Sequence, residues 1–288
     1  RGTTVVLADI EAPVLDATLA PAVGASVAKV YDGNTAADAA QFRLGANGLI
    51  DGDIVDLAST TIDYASKNVG AGLDVIASGI TLTGVSDGGR AVPVYGYRLS
   101  PTSETAVAVA AGQITPAQLT VLGTTVTTRA YDGSVDAQVS GTLTGLVNGE
   151  SLTFTQTGTF DSANAGTRNV AVANAVADNG AVLASNYNLV NPTENLIGQI
   201  DKATLTATNT AAATKTYDGN TTAAITGTLS GLVNGETAGF SQSGTFDSAN
   251  AGVRTVAVAN AVAFTGSAEP DSDAPADQTP AVAGPFDN

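Results

Sequence analysis

Two stretches of the chain are near-copies of one another and decide the fold. Residues 129–166 read RAYDGSVDAQVSGTLTGLVNGESLTFTQTGTFDSANAG, and residues 215–252 read KTYDGNTTAAITGTLSGLVNGETAGFSQSGTFDSANAG. Between the turns, apolar residues alternate with Thr, Ser or Asn, which is the period of a strand with one buried face. Asp-Gly and Asn-Gly accept positive φ and close turns between strands. The stretch therefore predicts short β-strands joined by tight turns.

A third, more diverged copy precedes these two. Its Tyr-Asp-Gly triplet begins at Tyr31, against Tyr131 and Tyr217 in the other copies, and a cation stands two residues before each Tyr. The Gly-Leu-Val-Asn-Gly-Glu block is answered more loosely by residues 48–53, and the Phe-Asp-x-Ala-Asn-Ala-Gly block by residues 64–70. Markers that recur in the same order indicate tandem copies of one structural unit.

An aliphatic residue, Val14, Ile114 or Ile200, stands at the same distance before each Tyr and opens the pattern Val/Ile-x-x-Ala-x-Leu. This register, together with the Tyr-x-Leu strands that close the first two copies, predicts an all-β chain of three tandem antiparallel β-sandwich or β-grasp-like modules in a rod. The expected boundaries are an N-terminal strand at 1–12, module 1 at 13–112, module 2 at 113–199, module 3 at 200–266 without a closing strand, and an acidic Pro-rich tail at 267–288.

The composition argues against catalysis. The chain has 0 His and 0 Cys, which removes imidazole bases, thiolate nucleophiles and the commonest zinc ligands. With 27 Asp and Glu against 11 Lys and Arg, it also lacks the cation clusters that bind nucleic acid. We therefore expect a protein that is not an enzyme, has no cofactor and does not bind nucleic acid.

The chain contains 0 Met, so we expect Arg1 to be exposed by processing or to lie within a longer chain. A removed export signal is the interpretation that we prefer. No apolar run approaches the roughly 18–20 residues needed to span a bilayer, which predicts a protein without membrane insertion. Together these features favour a secreted, extracellular location.

The combined motifs resemble a known family. The segment Lys-x-Tyr-Asp-Gly-Asn-Thr at 215–221, the two blocks that follow it and Asn-Tyr-x-Leu at 186–189 are similar to the YDG repeats of bacterial adhesins. Those repeats occur beside MBG, or mostly β-grasp, repeats in large filamentous-haemagglutinin-like exoproteins. The resemblance covers most of residues 14–262. It implies stalk or fibre modules at a bacterial cell surface or in a biofilm, and it carries no catalytic residues with it.

The repeated triplet offers the main candidate site. A structural interpretation, in which a strand ends, the Tyr ring packs under the cation stem and Asp-Gly turns the chain, competes with a repeated ligand site. We favour the structural one, because repeats preserve turn chemistry for the fold alone. The residues concerned are Lys29, Tyr31, Asp32 and Gly33, then Arg129, Tyr131, Asp132 and Gly133, and finally Lys215, Tyr217, Asp218 and Gly219.

A second candidate is a weak Ca²⁺ site formed by Asp51, Asp53 and Asp56. Ca²⁺ prefers closely spaced carboxylates. The segment lacks the complete Asp-x-Asp-x-Asp-Gly loop with its distal Glu, so a turn is the better interpretation.

Two structural roles remain open: a spacer within a long adhesin, whose partners are neighbouring domains, and a fibre subunit that joins other copies head to tail. In the second role, the N-terminal segment Thr4-Val5-Val6-Leu7 is the predicted subunit interface, donated as a strand to module 3 of another copy. A Ca²⁺-binding or glycan-binding adhesive module, with a host or matrix glycan as partner, is the alternative.

Overall fold

The structure, a computed structural model, describes residues 10–50, 53–87, 90–92, 96–264 and 280–281. Strands dominate these ranges, which contain no α-helix and only short 3-10 turns such as Ala39–Gln41 and Ala184–Asn186. No helix within the described part of the chain is long and apolar enough to cross a membrane. The expectation of an all-β chain of three repeats is confirmed.

The strands are numbered in chain order. Module 1 contains β1 (Val14–Pro21), β2 (Ala28–Val30), β3 (Phe42–Asn47), β4 (Asp53–Ala58), β5 (Thr61–Tyr64), β6 (Gly70–Ser78), β7 (Thr81–Asp87), β8 (Arg90–Val92), β9 (Arg98–Leu99) and β10 (Thr105–Thr115). Module 2 contains β11 (Ala117–Val126), β12 (Arg129–Ala130), β13 (Asp136–Ala137), β14 (Val139–Thr144), β15 (Thr153–Phe160), β16 (Gly166–Ala177), β17 (Tyr187–Leu189) and β18 (Thr193–Asp201). Module 3 contains β19 (Leu205–Ala212), β20 (Thr222–Ala223), β21 (Ile225–Ser230), β22 (Ala238–Phe246), β23 (Val256–Phe264) and β24 (Pro280–Ala281).

The same sheet orders recur along the chain. Module 1 has the orders β3-β1-β9 and β2-β10-β6-β5, with a further sheet β4-β7-β8, and module 2 has β14-β11-β17 and β12-β18-β16-β15-β13. Most neighbours are antiparallel, as expected. Two short parallel pairs are added in each of these modules: β1 with β9 and β2 with β10, then β11 with β17 and β12 with β18. The sheets are therefore mixed.

Module 3 has the orders β21-β19-β24 and β20-β22-β23. Its strand β24 pairs in parallel with Leu205 and Thr206, in the place that β9 and β17 take in the other modules. The sequence predicted no closing strand here, because the tail is rich in Pro. Pro lacks a backbone donor but keeps its carbonyl, so it can stand at the edge of a sheet. The rest of the tail lies outside the described residues.

The strand pairing corrects the sequence register of module 1. Leu15 pairs with Leu99 as Leu119 pairs with Leu189, and Leu15, Leu119 and Leu205 are all fully buried. Leu15, rather than Leu19, is thus the equivalent of Leu119. The shift arises because the connection between β1 and β2 is longer than the one between β11 and β12, so distance to the motif Tyr misaligns the strand before it.

The chain forms two compact units that differ from the modules. Unit 1 comprises Arg1–Thr120, Leu143–Phe154 and Val176–Val190, and unit 2 comprises Val121–Thr142, Thr155–Ala175 and Asn191–Asn288. Unit 1 therefore combines module 1 with part of module 2. The expected module boundaries at residues 113 and 200 are not boundaries of compact units.

Each unit has its own buried core. In unit 1, residues of two sheets of module 1, β3-β1-β9 and β2-β10-β6-β5, pack with residues of module 2; examples are Leu19, Val75, Ile114, Leu119 and Tyr187. In unit 2, the core consists of Ala137, Phe160, Val170, Val172 and Ile200. Consecutive repeats thus supply parts of a shared core in unit 1.

Candidate junction site between consecutive repeats

The Tyr-Asp-Gly motif forms the same turn in all three modules. The Asp carboxylate accepts a hydrogen bond from the backbone N–H two residues later: 3.2 Å for Asp32, 2.8 Å for Asp132 and 3.0 Å for Asp218. The next residue is Gly33, Gly133 or Gly219, with φ of 77°, 75° and 81° respectively. Glycine adopts this left-handed conformation without a steric penalty, which explains its place in the motif.

The cation before each Tyr ties the turn together. Lys29 Nζ donates to Asp32 Oδ1 at 2.8 Å and to the carbonyl oxygen of Asn34 at 2.8 Å, and Lys215 repeats this arrangement in module 3. Arg129 likewise donates to Asp132 and to the carbonyl of Ser134. The motif cation thus bonds the turn that follows it.

The aromatic ring beneath each cation is not the one that the sequence suggested. Lys29, Arg129 and Lys215 lie 5.4, 5.4 and 5.6 Å from the ring centres of Tyr64, Phe160 and Phe246. These rings come from the strand that ends before the Phe-Asp-x-Ala-Asn-Ala-Gly turn or its equivalent. The sequence predicted the motif Tyr under the cation, but the hydroxyl groups of Tyr31 and Tyr131 bond Glu150 and Glu236 instead.

The hydroxyl of Tyr31 bonds the following repeat within unit 1. It donates to Glu150 Oε1 at 2.9 Å, while Tyr187, in the closing strand of module 2, donates to Glu150 Oε2 at 2.5 Å. The rings of Tyr31 and Tyr187 meet edge to face, with centres 5.3 Å apart and planes at 75°. Such pairs are favourable beyond their buried area. One carboxylate therefore holds two buried phenols that belong to different repeats.

The Asn-Gly turn of module 2 positions this carboxylate. Asn148 and Gly149 have φ of 50° and 70°, and the N–H of Glu150 donates to the carbonyl of Val147 at 2.8 Å. Two consecutive positive φ values are typical of a type I′ turn, which Asn-Gly favours. Asn148 Nδ2 also donates to the carbonyl of Asp32 at 2.6 Å. The turn of one repeat thus bonds both the Tyr and the Asp of the preceding Tyr-Asp-Gly motif.

A second pair of motifs meets beside the first. Asn186, which precedes Tyr187, is fully buried; its Oδ1 accepts from the N–H of Val69 at 2.9 Å and its Nδ2 donates to Asn68 Oδ1 at 3.0 Å. Residues 64–70 are the first module's version of the Phe-Asp-x-Ala-Asn-Ala-Gly block. Four sequence blocks, two from each repeat, therefore converge on one site, here named the junction.

Burial and the neighbouring carboxylate raise the tyrosine pKa values at the junction. Loss of solvent and the hydrogen bond to Glu150 raise the pKa of Tyr31 to about 12, and the same two causes raise the pKa of Tyr187 to about 12. The hydrogen bond from the N–H of Ser134 holds the pKa of Asp132 below its usual value. At neutral pH the phenols of Tyr31 and Tyr187 are therefore neutral hydrogen-bond donors.

Unit 2 contains an equivalent junction. Tyr131 donates to Glu236, Asn234 Nδ2 donates to the carbonyl of Asp132 at 2.6 Å, and Asn234 and Gly235 have φ of 51° and 72°. Burial and the hydrogen bond to Glu236 raise the pKa of Tyr131 to about 12. The Tyr-to-Glu bond, the Asn-to-carbonyl bond and the Asn-Gly turn thus occur twice with the same residue types.

Two parts of a junction, the Tyr-Asp-Gly turn of module 3 and the acidic turn of module 1, have no partner repeat among the described residues. Tyr217 is 67% exposed, whereas Tyr31 is 2% exposed. In module 1 the position of Glu150 is taken by Asp53, which accepts from Tyr97 while Tyr97 in turn accepts from the N–H of Ile50 at 3.0 Å. Module 3 thus presents a Tyr-Asp-Gly turn, and module 1 presents an acidic turn with its closing-strand Tyr.

Other predicted residues have different outcomes. Thr4, Val5, Val6 and Leu7 lie outside the described residues, as does Asp51 of the Ca²⁺ candidate. Among the residues that the structure describes, no three acidic side chains are grouped as a metal site would require. The candidates Glu150 and Glu236 were missed, although a recurring acid after Asn-Gly and a recurring Tyr in the closing strand were both visible in the sequence.

Comparison with known families gives one result. The sequence pattern of the family described as YDG domain matches residues 16–89, 115–195 and 201–271. No curated protein matches, and no solved structure matches. The three matches follow the three modules and include the Tyr-Asp-Gly motif and the acidic turn of each.

Proposed function

This chain belongs to the YDG domain family, and on that premise we propose that it is a non-enzymatic structural part of a secreted bacterial adhesin or extracellular fibre. Its role is to build an array in which every repeat is bonded to the next. The observation that carries this proposal is the junction, where Glu150 accepts from Tyr31 of one repeat and Tyr187 of the next.

The junction chemistry supports this role. The Tyr-Asp-Gly residues direct their side chains to the same molecule: the cation bonds its own turn, and the phenol bonds the carboxylate of the following repeat. A site that bound a ligand would leave such groups facing solvent. In the motif of Tyr31, the ammonium group of Lys29 and the hydroxyl group of Tyr31 are hydrogen-bonded within the protein. This favours a structural function over a glycan-binding or ion-binding one.

The partners in this proposal are further YDG modules, either neighbouring domains of a long adhesin or other copies of the chain. A mass spectrum of the protein isolated from its natural source separates the two. A discrete species near 28.4 kDa supports a fibre subunit, and a much larger species supports an adhesin stalk. Recovery of the protein only from the cytosol contradicts the extracellular role.

Single-molecule stretching tests the array itself. If junctions join the repeats, Glu150→Gln lowers the force at which unit 1 unfolds, while Glu104→Gln, a change at an exposed acid in the same unit, leaves that force unchanged. Equal unfolding forces for the parent chain and both variants would refute the proposal that junctions hold the array together.

A further inference from the structure

Among the described residues, module 3 has no counterpart of one strand that modules 1 and 2 contain. In those modules β10 and β18, here named the exit strands, pair antiparallel with β6 and β16 and parallel with β2 and β12. In module 3 the strand equivalent to β6 and β16 is β23, and among the described residues it has a strand neighbour on one side only. An unpaired edge presents N–H and C=O groups that a further strand can bond.

A cavity lies in module 3 at the place that the exit strand takes in module 2. It has a volume of about 500 Å³ and is lined by Ala212, Tyr217, Phe246, Ala251 and Val256, among others. The equivalent residues of module 2 are Val126, Tyr131, Phe160, Ala165 and Val170, and all of them pack around the core that contains Ile200. Ile200 is fully buried. The cavity therefore corresponds to the position that an exit-strand Ile fills in module 2.

The side chains around the cavity are correspondingly uncovered. Phe160 and Val170 are 2% and 0% exposed, whereas their equivalents Phe246 and Val256 are only half-buried. Tyr217 is largely exposed. The apolar surface that Ile200 and the next repeat cover in module 2 remains accessible in module 3.

The chain contains a third segment with the pattern of an exit strand. Since Leu15, Leu119 and Leu205 are equivalent, the residues five positions earlier are also equivalent: Ile10, Ile114 and Ile200. Ile114 and Ile200 are 1% and 0% exposed, but Ile10 is 100% exposed. Residues 3–11, TTVVLADIE, align in this register with residues 193–201, TENLIGQID.

We propose that residues 3–11 of one copy of the chain bind as the exit strand of module 3 in a second copy, with Ile10 in the cavity. This inference names the partner and the receiving site of the array proposed above, and it rests on that proposed function. The new strand pairs with β23 on one side and with residues 215–217 on the other, as β18 pairs with β16 and β12. Tyr217 then donates to Asp53 of the donor copy, the position of Glu150 and Glu236.

The contact joins two different surfaces, so its repetition gives an open filament rather than a closed dimer. Strand addition of this kind gains affinity from main-chain hydrogen bonds and specificity from alternate side chains in pockets. In the donor segment these are Ile10 and, at the position of Leu196, Val6.

One residue of the donor segment differs from the exit strands in an informative way. A Cβ at Gly112 would lie 2.5 Å from Tyr64 Cε1, and one at Gly198 would lie 2.8 Å from Phe160 Cε1, so an aromatic ring packs directly on each glycine. The donor segment has Ala8 at this position and module 3 has Phe246 as the ring. The Phe246 ring must therefore shift to admit Ala8, and Ala8→Gly should strengthen the contact.

Sedimentation velocity of the purified 288-residue chain over a series of concentrations tests the proposal. The parent chain should form a concentration-dependent ladder of species. Ile10→Asp should lower the association constant about tenfold or more, because it replaces the Ile side chain that the contact would bury. Val23→Asp, at a site that is 90% exposed, is the matched control and should change nothing. Ala8→Gly should raise the association constant about threefold or more.

A mixing experiment tests the direction of the contact. Ile10→Asp disables the donor and Tyr217→Ala weakens the receiver, so an equimolar mixture of the two variants should stop at a dimer. A parent chain that stays monomeric at every concentration, an unaffected Ile10→Asp variant, or a ladder that survives deletion of residues 1–12 would each overturn the proposal. Those results would leave the internal junctions intact, so the failure of this inference is distinct from failure of the proposed function.

Discussion

Glu150→Gln is the substitution that most directly tests the junction. Glu150 accepts from Tyr31 and Tyr187, and its side chain is 12% exposed. The amide keeps one acceptor oxygen but presents an NH₂ group to the second phenol and removes the charge. Hydrogen bonds to charged groups contribute about 1.5–3 kcal/mol, against about 1 kcal/mol for neutral ones. Losing one bond and weakening the other should therefore lower the free energy of unfolding of unit 1 by about 2–4 kcal/mol.

The nearby Lys67 adds little to this value. Its Nζ lies 3.7 Å from Glu150 Oε1 and its side chain is 41% exposed. Exposed pairs contribute about 0–1 kcal/mol. Glu236→Gln in unit 2 affects a single described phenol, Tyr131, and should lower the free energy of unfolding by about half as much. Glu104→Gln, at an exposed position, should stay within about 0.5 kcal/mol of the parent chain.

The assay is urea denaturation followed by far-ultraviolet circular dichroism and tyrosine fluorescence. Because the chain has two compact units, one transition need not describe both, so hydrogen exchange of β2 and β10 assigns the loss to unit 1. A double-mutant cycle of Glu150→Gln with Tyr187→Phe should give a coupling energy of about 1–2 kcal/mol. A coupling energy below about 0.5 kcal/mol would refute the reasoning. So would a Glu150→Gln variant whose hydrogen exchange, relative to the parent chain, accelerates more in unit 2 than in unit 1.

Three further predictions concern pH, a turn and the motif Tyr. The pKa of Tyr187 is raised from 10.0 to about 12, so between these values the folded state keeps a proton that the unfolded state loses. The stabilisation is therefore complete below pH 10.0 and is lost as the pH rises towards about 12. Over that window the thermal midpoint of Tyr187→Phe should fall less steeply with pH than that of the parent chain. Gly145→Ala would place Cβ against the carbonyl oxygen of Gln118, whereas Gly149→Ala, also at positive φ, meets no atom within 4 Å. Denaturation should show Gly145→Ala to be about 1–3 kcal/mol more destabilising than Gly149→Ala. Equal losses of unfolding free energy in the two variants would contradict the clash. Tyr131→Ala should lower the free energy of unfolding by about 3 kcal/mol, on the scale of large aromatic truncations, and Tyr217→Ala, measured in dilute solution, by less than about 0.5 kcal/mol; an unchanged melting temperature for Tyr131→Ala would show that its ring is not packed.

The strands and turns were accessible from sequence because their causes are local. Alternation of apolar and polar residues sets a strand, and Asp-Gly or Asn-Gly sets a turn, as at Gly33 and Asn148. The junction was not accessible in the same way. Glu150 and Tyr187 lie far from Tyr31 in the chain, and an acid after an Asn-Gly turn has the pattern of an ordinary exposed residue. Pairing between distant strands decides which such residues meet.

The register of module 1 shows a second limit. Counting back from Tyr31 aligned Val14 with Ile114, but the longer connection after β1 breaks that count. Only the pairing of Leu15 with Leu99 restores the alignment and identifies Ile10 as the equivalent of Ile114. Loop length varies at little energetic cost, whereas strand pairing fixes position along a sheet. Spacing to a motif is therefore a weak guide across a loop.

The offset between modules and compact units bears on how a gene for such a protein can change length. Unit 1 takes residues from module 1 and from module 2, so the seam between two copies of the repeat falls inside a folded body. Recombination between two copies of the repeat adds or deletes one whole period. Each product then pairs a Tyr-Asp-Gly turn with an acidic turn that already fits it, as Tyr31 fits Glu150 and Tyr131 fits Glu236. Repeat number can therefore change from one generation to the next without a new interface having to evolve.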